Sequence, residues 1–364
     1  MGALSGELTI DLAAIRRNYH ILDEKVGARC VVAPSVKANA YGLGAAHVVP
    51  ALYEAGARAF FVATIEEGVA LRAVAPDANI CILNGFAPRA SGEYRAHNLT
   101  PVLNSLHDIA AYQDYATQGG GACSAVLHFD TGMNRLGISS DEAETLFDDQ
   151  SILAGLDVQC VMSHFSSSED TKTPINAQQF ARFQTIMAHF SDTQFSMCNS
   201  GGVFLSPDYH LDLVRPGIAL YGGNPTDGLD ENPMNPVVSL NVPVLQIHAV
   251  KKGETAGYNG THRFHKNGHV AIMSIGYADG LFRALSNSGA LYWQGCKMPI
   301  CGRVSMDLVV CDLSAVPEDQ YPNIGDRAEV IGVHQTIDDL AHSAGTISYE
   351  ILTALGARYR RVYL

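Results

Sequence analysis

The segment VVAPSVKANAYGLG, residues 31–44, places a single lysine at the end of an apolar run. Lys37 follows Val36 and precedes a turn-rich segment that contains Asn39 and Gly42. Burial at the end of a strand lowers the pKa of a lysine amine, because it disfavours the charged form. A neutral amine is a nucleophile that forms Schiff bases with carbonyl compounds. The segment therefore indicates a covalently reactive lysine, against the ordinary alternative of a lysine that extends its ammonium group into solvent.

Polar side chains stand at or near the ends of eight apolar runs between residues 31 and 217. One such residue has an ordinary explanation as a turn or capping residue. A polar residue at every end is what an enzyme requires if the ends meet on one face of the fold. The residues are Lys37, Thr64, Asn84, Asn104, Asp130, His164, Asn199 with Ser200, and Arg215.

Amphipathic stretches separate most of these runs, and the alternation predicts parallel βα units. Eight units predict an α/β architecture, an N-terminal (β/α)₈ or TIM barrel. In that fold the active site lies where the strands end. The predicted strands cover residues 31–37, 58–64, 79–85, 99–105, 124–131, 157–165, 194–200 and 211–217.

The pattern changes at residues 222–237, which are rich in Gly, Pro, Asp and Asn and are predicted to be a linker. Beyond them, apolar runs follow one another without long helices, which predicts a C-terminal, mainly antiparallel β domain. We expect the barrel to cover residues 1–232 and the β domain to cover residues 233–364. The first few residues are also compatible with a place in the β domain.

Composition narrows the classes of partner and compartment. The chain has 364 residues, with 24 Lys and Arg against 37 Asp and Glu, which gives a net charge of −13. This charge predicts no nucleic-acid partner and no anionic membrane partner, because phosphate groups would be repelled. There is no signal-peptide pattern, no 18-residue apolar run and no C-x-x-C pair among the eight cysteines. We therefore expect a soluble, cytoplasmic protein with reduced thiols.

Two turns are suited to binding a phosphate. Residues 199–202, Asn-Ser-Gly-Gly, end the seventh predicted strand, and residues 215–218, Arg-Pro-Gly-Ile, end the eighth. Small residues allow backbone N–H groups to point at an anion, and phosphate sites are frequent after these two strands of the barrel. A reactive Lys37 beside such a site indicates an enzyme that uses pyridoxal 5′-phosphate (PLP) or, without a cofactor, a Schiff-base aldolase.

Three further side chains could ligate a metal ion. His128 and Asp130 are two residues apart on one predicted strand and so point to the same face, and His164 ends the next strand. No histidine pair has the helical spacing of a metal motif such as H-E-x-x-H. We therefore predict no metal site and interpret these residues as a polar network at the mouth of the barrel.

Nine segments, in this order, resemble the alanine racemase family of fold-type III PLP enzymes. They are SVKANAYGLG, HFDTGMNRLGI, MSHF, CNSGG, VRPGIALYG, AGYN, SIGYADG, GRVSMD and SYEILT. The resemblance covers essentially the whole chain. It implies a PLP-dependent isomerase that interconverts L-alanine and D-alanine, for peptidoglycan synthesis or for L-alanine catabolism, and a homodimer with shared active sites. A broader amino-acid racemase that acts on serine is the alternative on the same fold.

The resemblance also implies roles for individual residues. Lys37 would bind PLP covalently and act as one of two catalytic bases, and Tyr258 would be the other base, in the active site of the other subunit. Arg215 would face the pyridine nitrogen, and His164 would hydrogen-bond to Arg215. The phosphate positions would be Tyr41, Ser200, Gly217, Ile218 and Tyr349, to which the Asn-Ser-Gly-Gly turn adds Asn199 as a cofactor-binding residue. The substrate positions would be Arg135, Met306 and Tyr277, and Tyr277 with Tyr349 would form an inner gate.

One position departs from the family. Many members have a lysine, often carbamylated, where this sequence has His128. The carbamate would supply a negative charge that orients Arg135, and His128 cannot. The resemblance therefore does not predict how Arg135 is oriented, and another anion is one replacement for the carbamate.

Arg215 predicts the type of reaction. An arginine is a permanent cation that only donates hydrogen bonds, so the pyridine nitrogen should stay unprotonated. The carbanion at the substrate Cα would then be short-lived and would be reprotonated there before transamination. A fold-type III decarboxylase usually has a carboxylate at this place, and a single-domain PLP carrier lacks the domain that contains Tyr258. Both alternatives are therefore disfavoured.

Overall fold

The structure, a computed structural model, describes residues 5–119, 123–229 and 231–364. The chain forms two compact units. One comprises Ile15–Leu220 and Asn224–Asn235, and the other comprises the residues up to Ala14, Tyr221–Gly223 and Pro236–Leu364. The predicted domain bounds, 1–232 and 233–364, stay a prediction beside these units.

Strands and helices alternate along the first part of the chain, whereas strands predominate after residue 238. The strands are β1 (Glu7–Ile10), β2 (Val31–Val32), β3 (Ala59–Val62), β4 (Asn79–Ile82), β5 (Leu99–Leu103), β6 (Cys123–His128), β7 (Leu156–Met162), β8 (Gln194–Ser196), β9 (Leu213–Val214), β10 (Val238–Val250), β11 (Thr255–Ala256), β12 (His262–Arg263), β13 (Gly268–Met273), β14 (Ala290–Trp293), β15 (Cys296–Pro299), β16 (Val309–Asp312), β17 (Arg327–Ile331) and β18 (Arg360–Tyr363). The helices are α1 (Leu12–Val26), α2 (Lys37–Tyr41), α3 (Ala45–Glu54), α4 (Ile65–Arg72), α5 (Ser91–Ala96), α6 (Leu106–Gly119), α7 (Ser140–Asp148), α8 (Ile175–Met187), α9 (Gly202–Leu205), α10 (Ile337–Ala344) and α11 (Ser348–Ala354).

Strands β2 to β9 form one parallel sheet in the order β2-β9-β8-β7-β6-β5-β4-β3. A parallel bridge between Ser35, just beyond β2, and Phe61 of β3 joins the two ends of the sheet. The predicted eight-stranded barrel is therefore confirmed, although each strand is shorter than its apolar run. Its interior is filled by a cluster of Ala33, Phe61, Cys81, Val102, Val126, Cys160, Met162 and Leu213.

Helices follow the barrel strands, and local sequence explains where two of them begin. Thr64 and Ser139 each accept a hydrogen bond from a backbone N–H three residues later, and a glutamate at that position returns one. This reciprocal capping box satisfies N–H groups that have no partner inside the helix. After β8 the chain forms the four-residue helix α9 and a short 3-10 helix, Pro207–Tyr209.

The other unit contains a second sheet in the order β15-β14-β17-β10-β1-β18, and β13 pairs with β10 and β16. Its pairings are antiparallel except between β1 and β18. The predicted antiparallel β domain is confirmed, and β1 from the start of the chain belongs to its sheet.

The segment predicted as a linker contains no strand or helix among its described residues, 222–229 and 231–237. It is nevertheless packed, since Thr226 and Met234 are buried. Asn18 accepts a hydrogen bond from Asn235 N at 2.7 Å and donates one to Asn235 O at 2.9 Å. In the part of the chain that the structure describes, no helix has the length and apolar character to cross a membrane.

Candidate active site

The turn that follows Lys37 has an unusual backbone. Its four residues have φ between 53° and 56°, in the left-handed region that disfavours residues with a Cβ by about 1–2 kcal/mol each. They are Ala38, Asn39, Ala40 and Tyr41. Gly42, with φ 81°, ends the turn, and its N–H donates to Ala38 O at 2.7 Å. Strain of this size persists only where the surroundings hold it, and it is typical of functional sites.

Lys37 is half-buried at the start of this turn. Burial lowers the pKa of its amine, and the nearby Arg135 guanidinium lowers this pKa further, whereas the Glu67 carboxylate opposes both effects. A larger fraction of Lys37 is therefore in the neutral amine form at a given pH than in an exposed lysine. This is the electrostatic setting that the sequence predicted.

Arg215 directly follows β9 and is buried. Its hydrogen-bond partners lie at the ends of the neighbouring strands β7 and β8. Its Nη2 donates to Ser163 O at 2.6 Å and to His164 Nδ1 at 3.3 Å, and its Nη1 donates to Ser196 Oγ. Because Nδ1 of His164 accepts, the ring proton lies on Nε2 and the imidazole is neutral. Burial, and next the Arg215 charge, hold the pKa of His164 well below its usual value. The predicted hydrogen bond between His164 and Arg215 is present.

The two predicted phosphate turns are joined by Ser200. Its hydroxyl oxygen accepts hydrogen bonds from Gly217 N at 2.9 Å and Ala219 N at 3.2 Å. The phenol of Tyr41 lies against the second turn, since a Cβ at Gly217 would stand 2.0 Å from Tyr41 Oη. Glycine is therefore required at position 217 by close approach. Ile218 is buried at the start of the next short turn.

Three of the polar residues at strand ends have local roles in the structure. Thr64 caps α4. Asp130 Oδ1 accepts from the backbone N–H groups of residues 132 and 133, both at 2.8 Å, and so stabilises a turn. Asn199 Oδ1 accepts from Gly202 N at 3.0 Å at the start of α9 and from Ser168 Oγ at 2.7 Å. The assignment of Asn199 to the cofactor stays a prediction.

His128 is buried at the end of β6, where its Nδ1 lies 2.8 Å from Asn104 Oδ1. Burial lowers its pKa to about 3, with Arg215 and Arg135 as smaller causes, so the ring is neutral near pH 7. Within residues 5–119, 123–229 and 231–364, Arg135 forms no hydrogen bond or ion pair. Within the same residues, no group of three His, Cys, Asp or Glu side chains is arranged to bind a metal ion. Arg215, Arg135, His128 and Lys37 nevertheless all lie close enough to His164 to lower its pKa through their charges.

The remaining predicted residues lie in the other unit. Tyr258, Tyr277 and Met306 are exposed, at 71%, 44% and 54%, and Tyr349 is half-buried. The Tyr277 and Met306 segments are hydrogen-bonded to each other, because Tyr277 N donates to Ser305 O and Ala278 N donates to Met306 O, both at 3.0 Å.

Two further residues at these sites were not predicted from the sequence. Glu67 accepts a hydrogen bond from Ala38 N at 2.6 Å, beside Lys37. The spacing T-x-x-E of residues 64–67 indicates a helix cap, and nothing in it indicates the second contact. Arg358 donates to Asp279 at 2.7 and 2.8 Å and to Asp307 at 2.7 Å, next to Tyr277 and Met306. No local pattern predicts this contact, because its partners are 79 and 51 residues away.

Comparison with known proteins gives matches over nearly the whole chain. The alanine racemase N-terminal domain matches residues 10–225, and the alanine racemase C-terminal domain matches residues 237–363. The chain is 48% identical over 357 residues to an alanine racemase of Acidiphilium cryptum, with 98% of each covered. It is 46% identical over 364 residues to a catabolic alanine racemase of Agrobacterium fabrum, with 100% of this chain and 93% of that protein covered. The crystal structure of alanine racemase from Bartonella henselae with covalently bound pyridoxal phosphate is similar at a TM-score of 0.94 and 40% identity, over 99% of each chain.

Proposed function

The chain belongs to the alanine racemase family, and from this premise we propose that it interconverts L-alanine and D-alanine with PLP as its cofactor. The observation that supports this most directly is a lysine with a lowered pKa beyond the end of β2, at the start of α2, close to the buried Arg215–His164 pair. The relatives and the solved structure described above are alanine racemases, which favours alanine over the serine alternative.

The barrel residues fit PLP. Lys37 offers an amine for covalent attachment, and Arg215 offers a charged donor for the ring nitrogen. The backbone turns that contain Ser200 and Gly217 have the small residues that a phosphate cradle requires, and a Cβ at position 217 would collide with Tyr41. We assign the phosphate to these turns together with Asn199, Ile218 and the hydroxyl groups of Tyr41 and Tyr349.

When bound, PLP supplies an electron-withdrawing ring that makes the Cα–H bond of an attached amino acid acidic. On one face the Lys37 side chain would accept the Cα proton as an amine or return it as an ammonium, and on the other face the Tyr258 side chain would accept it as a phenolate or return it as a phenol. General acid–base groups of this kind each contribute about 10²–10⁴-fold to a rate. We assign Arg135, Met306 and Tyr277 to the substrate.

Arg215 directs the reaction towards racemisation. It is a buried cation whose other hydrogen bonds go to acceptors on neighbouring strands, so it faces the cofactor as a donor only. Such a partner would give the ring nitrogen no proton, so the cofactor would delocalise negative charge at Cα less. Prompt return of the proton to Cα follows.

We also propose a homodimer in which Tyr258 of one chain acts with Lys37 of the partner subunit. Tyr258 is 71% exposed and Met306 is 54% exposed. Large side chains that are exposed together and belong to one proposed site indicate a surface that is covered in an assembly.

The proposed location is the cytoplasm. Among residues 5–119, 123–229 and 231–364, which include all eight cysteines, there is no disulfide bond, as expected in a reducing compartment. The reversible reaction suits either supply of D-alanine for peptidoglycan or breakdown of L-alanine. The Agrobacterium relative is named as catabolic.

Two variants, separately and mixed, test these assignments. Lys37→Ala should lose both the covalent PLP absorbance and alanine racemisation, and Tyr258→Phe should keep the absorbance and lose most of the activity. Mixed dimers of the two variants should recover activity, because one of their two sites is intact. Covalent PLP in Lys37→Ala would refute the role of Lys37, and verified mixed dimers without recovery would refute the shared site. A panel of L- and D-amino acids that includes serine measures the specificity.

A further inference from the structure

Glu67 contacts two separate segments of the barrel mouth. It is the third residue of α4, and its Oε2 accepts hydrogen bonds from Ala63 N at 2.8 Å and Thr64 N at 3.4 Å. Its Oε1 accepts from Ala38 N at 2.6 Å, 29 residues away in the sequence. A helix cap requires only the first set of bonds. The second bond connects α4 to the left-handed turn.

The position of Ala38 gives this bond a particular consequence. The Ala38 N–H belongs to the peptide group that directly follows Lys37, so its direction is set by the backbone rotation at Lys37. Ala38 is also the first of four residues in the left-handed conformation. A short bond to a carboxylate is among the stronger hydrogen bonds in proteins, and it holds this peptide in its orientation.

We propose that Glu67 is a positioning residue for Lys37, and that its carboxylate orients the Ala38 peptide so that the Lys37 amine points to the cofactor aldehyde. This inference rests on the proposed role of Lys37. The carboxylate accepts hydrogen bonds from the backbone N–H groups of Ala38, Ala63 and Thr64, and we assign it no contact with substrate or cofactor.

The same carboxylate acts on Lys37 through its charge. The charged or titratable groups that face the Lys37 amine are Arg135, which lowers its pKa, and Glu67, which raises it. His164 is also close, and it is neutral near pH 7. Neutralising Glu67 should therefore lower the pKa of Lys37. Loss of the uncharged cap residue Thr64 should not produce this shift.

The chain offers a matched control for the cap. Thr64→Ala removes the other half of the capping box on α4, where Thr64 Oγ1 accepts from Glu67 N at 3.4 Å, and leaves the bond to Ala38 in place. Glu67→Gln has the same shape as the native residue and removes the charge. Glu67→Asp keeps the charge on a side chain too short to reach Ala38 and both other donors.

The experiment adds PLP to apoenzyme of each variant and follows covalent attachment by its absorbance at several pH values. Borohydride reduction and peptide mass spectrometry then measure the labelled fraction of Lys37. At high pH, where the Lys37 amine is neutral in both proteins, Glu67→Gln should attach PLP about tenfold more slowly, and its rate profile should shift to lower pH. Thr64→Ala should lower the melting temperature and attach PLP within about twofold of the wild-type rate, since the bond to Ala38 remains.

Two results would overturn the proposal. One is a wild-type rate and an unshifted profile in Glu67→Gln, and the other is an equal slowing in Thr64→Ala. If Glu67→Gln does not fold, Glu67→Asp decides, and it should slow attachment with a profile close to that of the wild type. Absence of label on Lys37 in the wild type would instead refute the proposed function, so the two failures are distinguishable.

Discussion

Gly217→Ala tests the packing of the proposed phosphate cradle. A Cβ at this position would lie 2.0 Å from Tyr41 Oη and 2.7 Å from Tyr41 Cζ. Ordinary van der Waals contact begins at 3.4 Å, so the hydroxyl group would have to move by about 1.4 Å, which is 3.4 minus 2.0. Tyr41 is only 6% exposed, and its hydroxyl is hydrogen-bonded to Ser35. The displacement would therefore disturb both buried packing and a buried hydrogen bond.

The expected loss follows from these two contributions. Overpacking of a core by one carbon costs about 1–3 kcal/mol, and loss of a neutral hydrogen bond adds about 1 kcal/mol. The total of about 2–4 kcal/mol corresponds to a decrease in melting temperature of roughly 4–16 °C for a domain of this size. Because Tyr41 is the last of the four left-handed residues that follow Lys37, PLP attachment and racemisation should weaken as well.

Thermal unfolding of the PLP-loaded enzyme and an alanine racemisation assay measure these effects. Gly92→Ala in α5 is the control, since a Cβ there has no atom within 4 Å, and it should be neutral or stabilising by up to about 1 kcal/mol. Adding Tyr41→Phe to Gly217→Ala removes the closest atom and should recover part of the stability. A Gly217→Ala enzyme that melts and reacts like the wild type would refute the tight contact.

Three further predictions concern charged groups. His128→Gln should reduce acid destabilisation in urea titrations at pH 5 and pH 8. Burial lowers the pKa of His128 in the folded state to about 3, whereas its ordinary value is 6.5. Below pH 6.5 the unfolded chain therefore binds one proton that the folded chain does not. The free energy of unfolding should then decrease as the pH falls, by about 2 kcal/mol at pH 5. An equal acid loss in both proteins would contradict this. Arg358→Met should raise the KM for alanine by up to about 100-fold, because Arg358 hydrogen-bonds to Asp279 and Asp307 and so connects the segments that contain Tyr277 and Met306. Arg358→Lys should raise the KM less. An unchanged KM in Arg358→Met would count against this contact. Arg215→Glu should increase the ratio of pyruvate to D-alanine formed, because a carboxylate favours a protonated ring nitrogen, whereas Arg215→Lys keeps a cation and the wild-type ratio. A ratio unchanged in the glutamate variant with PLP bound would show that Arg215 does not control the reaction type.

The barrel could be predicted from the sequence because its pattern is local. Each apolar run lies within about ten residues, most runs are followed by an amphipathic stretch, and each run overlaps a strand of the barrel. The positions of Lys37, His164 and Arg215 at strand ends followed from the same pattern. The parallel topology then brought these residues together, because all strands of such a sheet end on the same side.

Some interpretations of individual residues needed the structure. The sequence alone does not separate Asp130, which stabilises its own turn, from His164, which contacts Arg215. Both are polar residues at strand ends. The difference depends on which acceptor or donor lies nearest in space, and backbone N–H groups of the same turn satisfy Asp130 first.

The sequence by itself determined the order of strands and helices, the two kinds of sheet, the family and the place of Lys37 as the proposed reactive lysine, since these depend on hydrophobic periodicity and on short motifs. Only the tertiary structure decided the left-handed turn after Lys37, the bond from Ala38 to Glu67 and the pairing of Arg358 with two aspartates. The physical reason is that the turn's residues, apart from Asn39 and Gly42, do not favour φ near +55° on their own. Bonds to partners 29 to 79 residues away stabilise these arrangements, and no local pattern encodes which partners will meet.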